Sequence, residues 1–386
     1  MGDIKEFHKF TRFPQNEKEE AYNKAVWILE KCSTYNGFYA AYPGYDMVFA
    51  RDSMIISLGA SLVPNKKLKE TFKQSLLTLG KYQTKEGQIP NAVDKWSKRK
   101  HHVDFKSIDS TLWFIIGHYI YKERYKDSSL FKKQKTKIKK AFIWLSYRDV
   151  GEDETLEQLP TTDWQDAFPH RYGATINTQA LWFKILKLLN KNVQTNKLKK
   201  IVNEGEDALW KNNFYLPWRW KNHGKYHEYG EWFDSLGNLL AIIFELADKK
   251  QSVKILSYIK QKGINKPYPI KAIYPAIKKG SKDWQDYFLD AESGKPWHYL
   301  NGGIWTYIGG FYVCALVKMK KFKEAEKQLQ KLAEANMKNN GNFAEWLHGL
   351  TGKVGKTQAG VESFQGWNAG MYIVAYESVK RKKCLI

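Results

Sequence analysis

At 386 residues, 43% hydrophobic and 15% aromatic, the chain has ample material for a buried core and not the composition of a disordered one. Its net charge of +23 raises nucleic acid as a partner, while three scattered cysteines, Cys32, Cys314 and Cys384, exclude a disulfide framework or a cysteine zinc site. No apolar leader follows Met1, and the uncharged run Gly302 to Val317 is shorter than the ~20 residues that span a bilayer, so a cytoplasmic protein without a membrane partner is expected.

Apolar periodicity predicts helices over 16–33, 51–63, 66–83, 108–124, 132–147, 173–190, 197–212, 234–247, 249–259, 301–319, 322–338 and 364–380, with few strands. In the fifth, Ile138, Phe142 and Leu145 line one face and lysines crowd the other, which reads as a solvated helix face. The connections after even-numbered segments are short. Those after odd-numbered segments are long: 34–50, 84–107, 148–172, 213–233, 260–300 and 339–363. In an up-down array of antiparallel helices every second loop emerges at the same end, so six long loops crowd one face. Loops of that length are usually functional.

Even-numbered segments such as 301–319 are apolar nearly all round, whereas odd ones such as 322–338 are amphipathic, as inner and outer rings require. An open solenoid would show repeats of fixed period, and none is found. The pattern predicts an all-α fold, an (α/α)6 barrel of twelve helices, with 1–386 as a single catalytic domain. The six long loops carry a net charge of +2 and the rest of the chain +21. Positive charge therefore avoids the loop face, which favours a lysine-rich solubilising surface over a nucleic-acid partner.

Eight of the 15 tryptophans fall in these loops: Trp96, Trp164, Trp218, Trp220, Trp232, Trp284, Trp297 and Trp346. Several stand beside acids, as in Asp163-Trp-Gln-Asp166, Glu231-Trp-Phe-Asp234 and Ala344-Glu-Trp346. Indole beside carboxylate suits a sugar, which is stacked on one face and hydrogen-bonded around its edge. Glycoside hydrolysis asks for two carboxyl groups across the anomeric carbon. Asp166 and Glu345 lie on the third and sixth long loops, opposite one another around a six-fold ring. Asp52 and Asp109 stand at predicted helix starts, where capping competes with a functional role.

The motifs in order resemble those of inverting (α/α)6-barrel glycosidases: the amylo-α-1,6-glucosidase domain of glycogen debranching enzymes, the neutral/alkaline invertases and, more remotely, the trehalases. Phe49-Ala-Arg-Asp52 resembles their Trp-x-Arg-Asp segment. Ser107-Ile-Asp-Ser-Thr-Leu-Trp113 is similar to a debranching-domain helix start, and Asp163-Trp-Gln-Asp166 to the motif ending in the general acid. Arg171-Tyr-Gly173, Phe233 to Ala241 and His298 to Trp305 look like the later family segments. Ala344-Glu345 aligns with the base glutamate and Gln365-Gly-Trp367 with the final helix start. Phe49 replaces the usual Trp, and Phe343-Ala-Glu-Trp346 stands where invertases have Trp-Pro-Glu-Tyr.

The resemblance implies an inverting hydrolase with Asp166 as general acid and Glu345 as general base. Arg51, Asp52, Asp109, Arg171, Gln179, Asp234, Asn301 and Gln365 would bind hydroxyls, with Trp164, Trp218, Trp232, Trp297 and Trp346 as stacking walls. No metal ligand set stands on the loop face and no cofactor is expected. The substrate would be a small carbohydrate with an α-glucosidic bond: sucrose, a short α-glucan or α-1,6-glucoside, or a small glucosyl solute. The alternatives are another sugar enzyme of the same fold, an epimerase or unsaturated-uronide hydrolase, or a non-enzymatic basic helical binder. An epimerase would use histidines, for which the loops offer His101, His102, His170, His223, His227, His298 and His348.

Overall fold

The computed structural model describes residues 16–96, 102–220, 228–290, 294–356 and 364–386. Among these, twelve helices of ten residues or more follow in order: α1 (Glu17–Cys32), α2 (Ala50–Ala60), α3 (Lys66–Lys81), α4 (Ile108–Tyr125), α5 (Lys135–Ser146), α6 (Ile176–Leu188), α7 (Asn192–Asn203), α8 (Ser235–Phe244), α9 (Lys249–Gln261), α10 (Thr306–Lys318), α11 (Phe322–Asn336) and α12 (Gly366–Lys380).

The even-numbered helices are buried around their circumference. Every residue of α2 and α8 is buried, and α10 is buried from Thr306 to Val317. The odd-numbered helices bury one stripe, as α3 does with Leu68, Phe72, Leu76 and Leu79 at helical spacing. Helix α2 packs on α4, α4 on α6, α6 on α8, α8 on α10 and α10 on α12, and α12 returns to α2. That last contact closes the inner ring. At its seam a Cβ on Gly59 would lie 2.2 Å from the Gly370 carbonyl oxygen, so glycine is kept in a helix interior despite its low propensity. Outside the ring, α1 packs on α12, α3 on α2, α5 on α4, α7 on α6 and α11 on α10. The fold is the predicted (α/α)6 barrel.

Each inner helix follows a long loop, so all six inner N-termini point to one face. Their aligned dipoles place positive partial charge there, which suits a site built of carboxylates. The loops are pinned to one another by strands of two or three residues. The antiparallel trio Glu157–Gln158, Gly173–Thr175 and Trp218–Arg219 joins the third long loop to the fourth. Parts of four long loops lie outside the described residues, as do His101, His223 and His227.

Some boundaries differ from prediction. The seventh helix spans Asn192–Asn203 and not 197–212: Gly205 turns the chain at φ +92°, and Trp210–Lys211 then pairs with Phe214–Tyr215 as a hairpin. The apolar residues Ala208, Leu209 and Trp210 had mimicked a further helical turn. The tenth helix starts at Thr306, because Gly302 turns the chain at φ +86°, Ile304 bridges Lys271 and Leu347, and Trp305 is extended. Among the described residues no helix is long and apolar enough to cross a membrane.

Candidate active site

Arg51 and Asp52 occupy the first turn of α2, and Asp109 the first turn of α4. Neither acid caps its helix: Phe49 and Ser107 hold the cap positions, and no side-chain cap bond forms. Instead Arg51 joins the two helices, its Nη1 3.3 Å from Asp109 and its Nε 3.6 Å from Asp52. Asp109 also accepts a hydrogen bond from Ser107. Burial pushes the Arg51 guanidinium down, but Asp109, Asp52 and Asp166 outweigh it and hold it above its usual range. Burial pushes Asp52 and Asp109 up, against the pull of Arg51. One oxygen of Asp52, Oδ2, has no hydrogen-bond partner among the described residues.

Asp166 stands beside this cluster and differs from it. It is exposed, whereas its neighbours Asp163, Trp164 and Gln165 are buried. Even so, desolvation pushes its carboxyl up to about 6, helped by Asp52, Asp109 and Asp163 and opposed by Arg51. Exposure together with desolvation is the signature of a group inside a cup: water reaches it through the mouth while protein surrounds it elsewhere. A carboxyl there keeps its proton into the range where a general acid works.

Glu345, 6% exposed, enters from the sixth long loop. Tyr45 hydrogen-bonds to it, and the Tyr299 hydroxyl lies 3.5 Å from Oε1. Both phenols also feel the charge of Asp166, and burial with these carboxylates pushes each above its usual range. Tyr45 and Tyr299 thus share a neighbourhood with both acids. An aromatic lining surrounds them. Trp164 meets Trp305 and Tyr307 edge-on at 6.0 and 5.8 Å, Tyr307 stacks on Trp367 at 4.2 Å, and Tyr299 approaches Trp346 at 6.1 Å. The indole N–H groups of Trp164 and Trp367 have no partner among the described residues, leaving donors for a ligand.

The remaining predicted residues lie apart from these contacts. Arg171 and Asp234 are fully buried: Arg171 Nη2 is 2.5 Å from Asp163 and Nη1 2.5 Å from Asp234, which also caps α8 through Gly237 N–H. Gln179 brackets the backbone of Leu156 by donating to its carbonyl and accepting from its N–H. Asn301 does the same for Ile277. Gln365 lies on a short strand paired with Ala41. Trp218 packs on Tyr172 at 4.6 Å and Trp297 on Tyr274 at 6.3 Å. Trp232 is buried with its N–H unpartnered among the described residues.

Sequence reasoning missed Tyr45, Asp163, Tyr299, Trp305, Tyr307 and Trp367. Tyr299, Trp305 and Trp367 stood inside segments already singled out, whereas Tyr45 carried no motif. Of the loop histidines, His298 and His348 lie 4.9 Å apart, with His298 5.5 Å from Trp346, and His170 hydrogen-bonds to Tyr287. Among the described residues no group of three or more His, Cys, Asp or Glu is placed to hold a metal.

Residues 226–381 match the family model for alkaline and neutral invertase. Probable alkaline/neutral invertase D of Arabidopsis thaliana is 31% identical over 146 residues, which cover 37% of this chain and 26% of that protein. Cytosolic invertase 1 of Oryza sativa subsp. japonica is 30% identical over 146 residues, covering 37% and 25%. The chain thus matches about a quarter of the length of these relatives. Among solved structures, a mannosylglycerate hydrolase from Thermus thermophilus in complex with glucose superposes with a TM-score of 0.65 at 14% identity, covering 92% of this chain and 99% of that one. A wild-type glycosidase gives 0.65 at 10% identity, covering 94% and 97%. These structures share the helical barrel, and the sequence matches bear out the resemblance to invertases.

Proposed function

We propose that the chain is a cytoplasmic, single-domain inverting glycoside hydrolase that cleaves an α-glucosidic bond in a small substrate. The observation that carries this reading is Asp166, open to solvent and desolvated at once, in a cup shared with Glu345. Asp166 gives its proton to the glycosidic oxygen as the bond from that oxygen to the anomeric carbon breaks. Glu345 takes a proton from water as the water oxygen bonds to the same carbon from the opposite face. Tyr45 and Tyr299 hold the Glu345 carboxylate in place. Arg51, held between Asp52 and Asp109, keeps positive charge beside the acid, and Asp52 Oδ2 and the indole donors meet sugar hydroxyls. The family match and the named activities of the relatives support this reading. Sucrose, a short α-glucan or α-1,6-glucoside, and a small glucosyl solute are the substrate classes.

A glucose-release screen over sucrose, trehalose, isomaltose, maltose, panose and glucosylglycerate tests it. At least one should be turned over, and the first-formed sugar, followed by NMR, should carry the anomeric configuration opposite to the substrate's. Retention, or no turnover of any of them, would overturn the reading.

Two further results are expected. Because Asp166 must be protonated to act, kcat/KM should fall about tenfold per pH unit above its carboxyl's value of about 6. In Asp166→Asn that limb should disappear from the residual rate, and its survival would point to another acid. Activity should also persist in excess chelator. Loss that returns with a divalent ion would count against the mechanism.

A further inference from the structure

Trp220 belongs to neither the cup nor the core. It is 39% exposed, and it follows the edge strand Trp218–Arg219 of the trio that joins the third and fourth long loops. Its ring lies over Gly173, where a Cβ would come within 2.8 Å of it. A hollow opens on either side. The first, about 350 Å³, is lined by Asp207, Trp210, Arg219, Glu228 and Tyr229. The second, about 320 Å³, is lined by Phe105, Trp144, Glu157, Gln158 and Leu159, and Trp220 borders both. Each has the size of a small-ligand pocket.

Each hollow also holds a buried polar group left over by the fold. Arg219 is 7% exposed. Its Nη1 reaches Asp207 at 3.3 Å, but its Nε has no partner among the described residues. Gln158 is 6% exposed. Its Oε1 accepts from Thr175 and Thr178, while its Nε2 has no partner among the described residues. Buried donors of this kind ordinarily find an acceptor. The second hollow sets Lys106 and Arg148 against Glu157, and the first sets Lys211 and Arg219 against Asp207 and Glu228, so each mixes both signs of charge and favours a neutral ligand. An indole flanked by unsatisfied donors and carboxylates suits a sugar, with its apolar ring face and rim of hydroxyls. It does not suit a protein partner, whose interface centre would be depleted of charge.

We propose that the Trp220 ridge is a second carbohydrate-binding site, distinct from the Asp166–Glu345 cup, that holds a neutral oligosaccharide across both hollows. It rests on the hydrolase reading only for the choice of sugar as ligand.

The test uses the full chain carrying Asp166→Asn, so that no sugar is consumed. Native electrophoresis through amylopectin, dextran or inulin should retard it in at least one polymer. Adding Trp220→Ala should weaken that binding at least tenfold, and Trp220→Tyr, which keeps a ring, should restore most of it. In the otherwise unchanged chain, Trp220→Ala should leave kcat/KM on the small substrate within twofold. Equal retardation with and without Trp220, or none in any polymer, would overturn the proposal. So would a change in oligomeric state on Trp220→Ala seen by sedimentation, which would make the ridge a contact between copies. Polymer binding without turnover of any screened sugar would instead sink the hydrolase reading and leave this one standing.

Discussion

Asp166→Asn is expected to lower turnover of a natural glycoside by at least about a thousandfold, within the range that general acid catalysis supplies. The same variant should keep much more of its rate on a glycosyl fluoride, because fluoride leaves with little protonation. Glu345→Gln should abolish both reactions, since it removes activation of the water, and added azide should restore some turnover with inverted product. The pair separates the two roles: a leaving-group effect marks the acid, and rescue by an external nucleophile marks the base. Full activity in either folded variant would end the assignment. Stability supplies an independent reading. The Asp166 carboxyl sits above its unfolded value, so the native state holds its proton more tightly. Native stability therefore falls as pH rises from the unfolded value to about 6, and the penalty persists above it. Asp166→Asn should raise Tm at pH 7 by roughly 1–2 °C, a small gain because solvent at the mouth of the cup screens the charge.

The ring was legible because the alternation of long and short connections and of all-round and one-sided apolar helices are both properties of the chain alone. That Asp166 and Glu345 come to one neighbourhood was legible because each lies within two residues of an indole on a loop whose parity fixed its face. What periodicity cannot report is the partner a polar group meets across the ring. Gln179 and Asn301 look like ligand-binding amides, yet each brackets one distant backbone segment, Leu156 and Ile277. The end of α7 was misplaced for a related reason, since Leu209 and Trp210 continue a helical period after the chain has already turned at Gly205. Tyr45 was invisible because a lone tyrosine in a loop has no spacing to read, and its contact with Glu345 joins the first long loop to the sixth.

Arg171 is the position where a sugar-binding role and the structure predict different outcomes. If it contacted a hydroxyl, Arg171→Met would fold with an unchanged Tm and raise KM. The structure instead seals its guanidinium between Asp163 and Asp234, with all three side chains inaccessible to solvent. Removing one partner of a buried ion pair costs about 3–5 kcal/mol, because a charge is left without compensation, and here two carboxylates would be stranded. In a chain of this length that is a fall in Tm of roughly 5 °C or more. Asp234, already pushed up by burial, would lose the guanidinium that opposes that push. The variant's deficit against the parent should therefore be largest at neutral pH and narrow as pH falls and the stranded carboxyl takes up its proton. Adding Asp163→Asn and Asp234→Asn to Arg171→Met removes the stranded charge and should recover more than half of the lost stability, although Gly237 N–H keeps only an amide oxygen at the α8 cap. Thermal melts of the three proteins across pH decide between the two roles. A single Arg171→Met variant with the parent's Tm and a raised KM would return this arginine to the sugar site.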